Sequence, residues 1–271
     1  MKSLQRLSLL SIFMLCLVLA ACGSTASSNS SSPITLRVFA AASLTDSFNT
    51  IAQHYHQAHP TTTITFNFAG SQALEQQMAN GASADVFASA DLANMQKANS
   101  AGLVKTSQIF AQNKLVVIIP ANNPGGITLL KDLAKPGVKI DMAAPSVPVG
   151  NYTLQALDKM AQSADYTPAY KAAVLQNVVS QEDNVKAVVQ KVQLGEVDAG
   201  FVYLTDVTAA ASQKVTKITI PDSFNVIAQY PIAVTKHTAH SDEAQAFVQY
   251  ILSADGQTTL ASYGFIKANG K

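Results

Sequence analysis

Short apolar runs that end in a small-residue turn and lead straight into a helical pattern recur along this chain. That alternation limits the fold more than any other feature. Ile34 to Phe39 alternates apolar and polar residues and predicts a strand. Leu44 to His59 carries Leu44, Phe48, Ile51, Ala52 and Tyr55 at the spacing of one helical face, and Pro60 stops it. Thr63 to Phe68 predicts the next strand, and Ser71 to Ala79 the next helix, closed by Asn80-Gly81. Asp85 to Ala88 reads as a short buried strand and Asp91 to Asn99 as a helix ended by Gly102. Further strands are expected at Leu115 to Ile119, Val138 to Met142, Val178 to Val179, Ala199 to Val202, Ile218 to Ile220 and Ile232 to Thr235. Helices are expected at Tyr152 to Ala161, at Val185 to Leu194, from a Ser241 cap to Leu252, and at Gln257 to Tyr263. Strands alternating with helices imply right-handed βαβ units, an α/β fold and a mostly parallel sheet.

The first 33 residues do not share this pattern. Lys2 and Arg6 precede an apolar stretch, Leu7 to Leu19, of signal-peptide length and too short to span a bilayer comfortably. Residues 1–21 are therefore expected to be a signal peptide. Leu19-Ala20-Ala21-Cys22 resembles the bacterial lipobox, in which the chain is cut before the cysteine and that cysteine is lipidated; an ordinary signal with an incidental cysteine is the plainer alternative. Residues 22–33 would then be the lipidated Cys22 and a flexible tether of Ser, Thr, Gly, Asn and Ala. Lipid on Cys22 would hold the protein at the outer face of a membrane, in the cell envelope, without spanning it. The chain has 2 cysteines; Cys16 would leave with the signal, so no disulfide is expected in the mature chain.

From Ile34 to Lys271 the chain is long enough for one large or two modest domains. The full 271-residue chain has a formal net charge of +1, with acids and bases interspersed, and it has no basic stripe, which argues against a nucleic-acid partner. Four phrases stand out in it: Ala41-Ala42-Ser43-Leu44, Ala69-Gly70-Ser71, Val147-Pro148-Val149-Gly150 and Asp183-Asn184-Val185. Each follows an apolar run or loop and precedes a helical pattern. A helix N-terminus offers unpaired N–H groups and partial positive charge, and in α/β sheets ligands gather at the carboxyl ends of strands. Four such ends, two with a serine hydroxyl, could surround one tetrahedral oxyanion. None contains Lys or Arg, so the donors are neutral.

These phrases and their neighbours also carry a resemblance. Val38 to Leu44, Phe68-Ala69-Gly70-Ser71, Ala84 to Asp91, Pro145 to Gly150, Glu182 to Val185, Gly195 to Tyr203, Tyr230 to Val234 and Tyr263-Gly264-Phe265 are similar, in the same order, to the periplasmic molybdate-binding protein family. The resemblance covers essentially all of the mature chain. It implies a two-lobed, periplasmic-binding-protein-like (type II) α/β fold with a hinged cleft, acting as the substrate-binding component of an ABC importer. One lobe would hold residues 34–114 plus 229–271 and the other residues 115–228. Carried over by position, Ser43 and Ser71 would give hydroxyl and N–H bonds, Val149 and Val185 backbone N–H bonds, and Tyr203 its phenolic hydroxyl. The family often has Ala where this chain has Val149, a change that leaves the N–H in place. The ligand implied is molybdate or tungstate, with no other cofactor. The partner implied is an ABC permease, and a monomer is expected. Asp46, three residues after Ser43, is expected to form a capping box.

Molybdate and tungstate are dianions without a proton near neutral pH, so neutral donors can saturate them. Phosphate keeps a proton near pH 7 and needs an acceptor, which none of the four phrases supplies. Sulfate, with the same charge and shape but smaller, is the rival oxyanion. Taken singly, Ser43 and Ser71 read as ordinary N-caps and Tyr203 as a core tyrosine; the set in order argues otherwise. Asn184 reads as an N-cap. His54 and His56 would point apart on a helix turning about 100° per residue, which argues against a cation site. Neither serine has the flanking glycines of a hydrolase elbow, and no Walker loop or dinucleotide fingerprint occurs, so the chain is not expected to be an enzyme. Asp85, Asp91, Asp183 and Asp198 read as caps and surface acids.

Overall fold

The computed structural model describes residues 33–268. The expected signal peptide, Cys22 and most of the tether lie outside the described residues. The chain runs β1 (Ile34–Ala41), a 3-10 turn (Ala42–Leu44), α1 (Thr45–Ala58), β2 (Thr62–Ala69), α2 (Ser71–Ala79), β3 (Val86–Ala88), α3 (Leu92–Ser100) and β4 (Gln108–Asn113). It continues through β5 (Leu115–Pro120), β6 (Ile140–Ala143), α4 (Pro148–Ala161), α5 (Pro168–Gln176), β7 (Val178–Glu182), α6 (Val185–Leu194), β8 (Ala199–Tyr203) and β9 (Val215–Thr219). It ends with β10 (Ala228–Val234), α7 (Ser241–Leu252), α8 (Ala254–Ser262) and β11 (Ile266–Lys267).

The strands form two sheets, one ordered β11-β4-β10-β3-β1-β2 and the other β7-β6-β8-β5-β9. Each is the centre of one lobe. The chain leaves the first sheet between Asn113 and Leu115 and returns between Thr219 and Ala228. The two crossings lie side by side, since Ala228 registers against Asn113. Buried Asn225 braces them: its Nδ2 donates to the Leu115 carbonyl (2.9 Å), and its Oδ1 accepts from the Leu115 N–H (3.0 Å).

The expectation of mostly parallel sheets is corrected. β1 pairs in parallel with β2 and β3, and β6 with β7 and β8, but β10 runs antiparallel to β3 and β4, and β5 antiparallel to β8 and β9. The parallel pairs are those made by helical crossovers within one sheet; a strand that arrives from the other sheet is free of that constraint and enters reversed. β4 and α5 were not anticipated. β4 is bounded by polar Gln108 and Asn113, and α5 buries only Tyr170 and Val174, so neither shows a full apolar stripe. Ser241 is also not a cap: His240 holds that position without a side-chain bond, and Ser241 Oγ accepts from Lys105 Nζ (2.6 Å).

Local chemistry explains the elements that position the cleft. α1 buries Phe48, Ile51 and Tyr55 on one stripe, where Phe48 meets Phe66 and Phe110, and Tyr55 meets Phe247 edge-on. All six residues of β5 are buried, as a central strand covered on both faces requires. α6 begins at Asn184, whose Oδ1 accepts from the Ala187 N–H (3.1 Å), and ends at Gly195 in the left-handed conformation (φ 70°). Asp85 is not a surface acid. It is buried and accepts from the Arg37 N–H (2.7 Å) and the Thr238 hydroxyl (2.5 Å), so it ties β1 to the loop after β10. Asp141 on β6 is fully buried with no hydrogen bond to either carboxylate oxygen. Burial, aided by nearby Glu182, pushes its pKa up to about 7.

Candidate anion-binding cleft

The four junction phrases converge on one cavity between the two sheets. The first lobe contributes Ser43 and Ser71, and the second contributes Val149, Val185 and Tyr203. Its free volume is about 10 Å³, near the minimum that holds one water-sized species, so the cleft has room for a very small ligand alone. No Asp, Glu, Lys, Arg or His lines it among the described residues.

Each candidate contact residue is placed by its own junction. Ser43 sits in the 3-10 turn that joins β1 to α1, and Ser71 is the first residue of α2. Val185 is the first residue of α6, and Val149 the second of α4 after Pro148, which supplies no N–H and is preset for a helix start. Their N–H groups lie in first turns, which leave such donors without internal acceptors. Gly150 lets α4 come close enough: a Cβ there would lie 2.2 Å from the Ala144 carbonyl oxygen. Gly70 does the same across the cleft, where a Cβ would lie 2.4 Å from the Asp183 carbonyl oxygen of the other lobe. Gln72 Nε2 donates to that same oxygen (2.9 Å). The lobes are thus in contact at the rim of the cleft.

The side-chain hydroxyls are oriented. Ser71 Oγ accepts from the Ala90 N–H (2.9 Å), and Ser43 Oγ lies 3.0 Å from the Tyr230 hydroxyl. Tyr203 is 1% exposed, yet its hydroxyl has no protein partner. Burial, first of several causes, raises its pKa far above the ordinary tyrosine value, so it stays a proton donor. A buried, unpaired hydroxyl costs roughly 1–3 kcal/mol. One facing a cavity among first-turn N–H groups is matched by a ligand that accepts hydrogen bonds.

Two features were not read from the sequence as they stand. Asp46 forms no capping box; its Oδ2 instead pairs with Lys186 Nζ at 2.8 Å, across the lobes. Lys186, directly after Val185, also lies 3.4 Å from Asp206 Oδ1. Burial works against the Lys186 charge, yet Asp206 and Asp46 together raise its pKa above that of an ordinary lysine. Burial in turn pushes Asp206 up to about 6, although Lys186 pulls the other way. Lys186, next in sequence to Val185, is thus paired with two carboxylates, and the cavity lining carries no charged side chain among the described residues. Asp206 Oδ2 also accepts from the Tyr203 N–H (3.1 Å) and so fixes the tyrosine's backbone. A lysine next to the junction was visible in the sequence, but its two acidic partners lie 140 and 20 residues away.

Of the early histidines, His56 Nδ1 lies 3.0 Å from the Thr62 carbonyl and His59 stacks on Tyr55. Among the described residues no three His, Cys, Asp or Glu side chains group together.

Comparison with known proteins fits this geometry. Residues 36–266 match the family model of bacterial extracellular solute-binding proteins. The molybdate-binding protein ModA of Mycobacterium tuberculosis is 37% identical over 255 residues, 92% of this chain and 93% of that protein. Among solved structures, the periplasmic molybdate-binding protein of Azotobacter vinelandii superposes with a TM-score of 0.73 at 23% identity, over 85% of this chain and 98% of that one. The sulfate-binding protein SubI of Mycobacterium tuberculosis superposes with a TM-score of 0.77 at 17% identity, over 87% of this chain and 88% of that one. At those identities the two structures speak to the fold alone.

Proposed function

The chain belongs to the bacterial extracellular solute-binding protein family, a family of extracytoplasmic binding proteins, and on that premise we propose that it captures molybdate between its lobes and delivers it to an ABC permease. Tungstate, close to molybdate in size and charge, is taken as a second ligand. The observation that carries this reading is the buried Tyr203 hydroxyl, left without a partner beside Ser43, Ser71 and the first-turn N–H groups of Val149 and Val185. All of these donate, and no acceptor for an anion's proton lines the cavity. The 37% identity to a protein named for molybdate binding supports the same ligand.

Residues 34–114 with 229–271 act as one lobe and residues 115–228 as the other, moving about the paired crossings. The anion bridges Ser43 and Ser71 to Val149, Val185 and Tyr203. It makes its full set of contacts only when the lobes close, so it shifts the population toward the closed form. The closed shape is what the permease reads, and the permease complex supplies the ATPase that drives import. The protein works as a monomer held at the membrane by lipid on Cys22, and it turns nothing over. Each donor bond to a charged oxygen contributes roughly 1.5–3 kcal/mol, so losing one weakens binding about tenfold or more.

Titration calorimetry with molybdate, tungstate, sulfate and phosphate at one pH tests this. Tight molybdate and tungstate, weak sulfate and no phosphate is the expected order. Sulfate binding tightest would keep the cleft and change the cargo, a reading favoured by the fact that neutral donors sort these dianions only by size. No binding of any of the four to a folded sample would end the oxyanion reading.

A further inference from the structure

Taking the cavity as an oxyanion site, we infer that Tyr230, which does not line it, is a positioning residue that turns the Ser43 hydroxyl into an obligate donor and so helps reject oxyanions that carry a proton. The starting point is Asn113, at the end of β4 where the chain first leaves the first sheet. Its Oδ1 accepts from the Lys114 N–H (2.9 Å), which fixes which end of the amide is which. Its Nδ2 therefore points the other way and donates to Thr205 Oγ1 (2.8 Å) and to the Tyr230 hydroxyl (3.4 Å). An amide nitrogen only donates.

Tyr230 is fully buried on β10, with its ring edge-on to Phe110, Phe265 and Tyr203. Its hydroxyl has two partners among the described residues, Asn113 Nδ2 and Ser43 Oγ. The first can only give a proton, so the phenolic proton has a single acceptor, Ser43 Oγ. If Ser43 donated instead, the buried phenolic proton would be left unpaired, at a cost that the other arrangement avoids. Ser43 Oγ is thus an acceptor toward the protein, and its own proton is directed away from Tyr230, toward the cavity.

Ser71 reaches the same state by a shorter route, because its Oγ accepts from the Ala90 N–H. A serine hydroxyl left to itself can give or take a proton. Here both are committed to giving. A fully ionised tetrahedral dianion accepts from both. Monohydrogen phosphate brings a proton of its own and meets two hydroxyls whose protons point at it and whose oxygens each keep one free lone pair, a poorer acceptor than a carboxylate. The selectivity lies one layer behind the ligand, in a relay that starts at the interlobe crossing.

The test is a double-mutant cycle read by calorimetry with molybdate and phosphate as probes, using Tyr230→Phe and Ser43→Ala singly and together. Tyr230→Phe is expected to weaken molybdate about tenfold, the scale of one charge-assisted donor, and to narrow the molybdate-to-phosphate ratio. In the Ser43→Ala background the same change is expected to leave both affinities within about twofold, because the group it orients is gone. Asn113→Ala, which frees the Tyr230 hydroxyl to accept from Ser43, is expected to repeat the pattern and stands in if Tyr230→Phe does not fold. Equal losses from Tyr230→Phe with and without Ser43, or an unchanged selectivity ratio, would show a packing or hinge role and overturn the inference. A wild type that binds no oxyanion would overturn the function reading and this inference with it, whereas a wild type that binds and a Tyr230→Phe variant that matches it would overturn this inference alone.

Discussion

The two walls of the cleft solve one problem by different means. On the proposed reading the first lobe adds two side-chain hydroxyls to its N–H groups, those of Ser43 and Ser71, which sit against the Tyr230 hydroxyl in one case and the Ala90 N–H in the other. On the second lobe Val149 and Val185 offer only backbone N–H groups at helix starts, and Tyr203 alone adds a side chain. A backbone donor survives any substitution that keeps the helix in place; a hydroxyl does not. The second wall should therefore tolerate side-chain changes at its helix starts, while the first should be brittle.

The largest effect should come from breaking the contact between the walls. Gly70→Ala puts a Cβ 2.4 Å from the Asp183 carbonyl oxygen of the opposite lobe, and Gly70 has φ −59°, so the new residue is not strained in itself. Closure should fail while each lobe keeps its fold, and molybdate affinity should fall about 100-fold or more with little change in the unliganded melting temperature, because several donor bonds form only on closure. Calorimetry alongside a thermal melt separates the two.

Next come the single hydroxyls. Ser43→Ala and Ser71→Ala should each weaken binding about tenfold or more. Ser71→Ala should also cost roughly 1 kcal/mol of stability, because the buried Ala90 N–H loses its acceptor. Tyr203→Phe should weaken binding by about tenfold but leave the free protein as stable or slightly more so, since the hydroxyl it removes has no partner there. Normal affinity in all three variants would remove these residues from the site.

Val149→Ala sharpens the contrast. The N–H stays, so affinity should move by less than about threefold, while a buried side chain is shortened at a cost of about 1 kcal/mol or more in unfolding experiments. A loss as large as that of Ser43→Ala would contradict the distinction between the walls.

The smallest effect on binding should come from Asp141, which lies outside the cleft. Its folded pKa is raised to about 7 by burial. Below pH 4 or so both folded and unfolded forms carry the proton and nothing is lost. Between about pH 4 and 7 the unfolded chain ionises while the folded one holds its proton, so stability falls as pH rises through that window. Asp141→Asn should flatten this slope, raising stability at pH 8 by on the order of 1–2 kcal/mol and leaving pH 4 nearly unchanged. A slope identical to that of the unsubstituted protein would show that another group sets it.

What the sequence disclosed was mostly local. α2 and α6 begin and end where expected because Gly70, Asn184, Asn80-Gly81 and Gly195 punctuate the chain at those points. The convergence of Ser43, Ser71, Val149 and Val185 was inferred from helix starts at strand ends and that of Tyr203 from the family resemblance alone, and all five line the cavity. What stayed hidden depends on distant partners. Tyr230 lies 187 residues from Ser43, and nothing in its neighbourhood marks it as anything but a core tyrosine. The pairing of Asp46 with Lys186 spans 140 residues and replaced a local capping box that the spacing favoured. The reversed strands β5 and β10 follow from the chain's passage between sheets, which strand periodicity does not encode.

The central claim is that one oxyanion is held by neutral donors from both walls. A crystal structure of the molybdate complex, with the anomalous signal of molybdenum used to place the ion, tests it most directly. The account predicts a single peak in the cavity, its oxygens within about 3.2 Å of the hydroxyls of Ser43, Ser71 and Tyr203 and the N–H groups of Val149 and Val185, with Lys186 still paired to Asp46. A peak elsewhere, or Lys186 swung in to contact the anion, would contradict it.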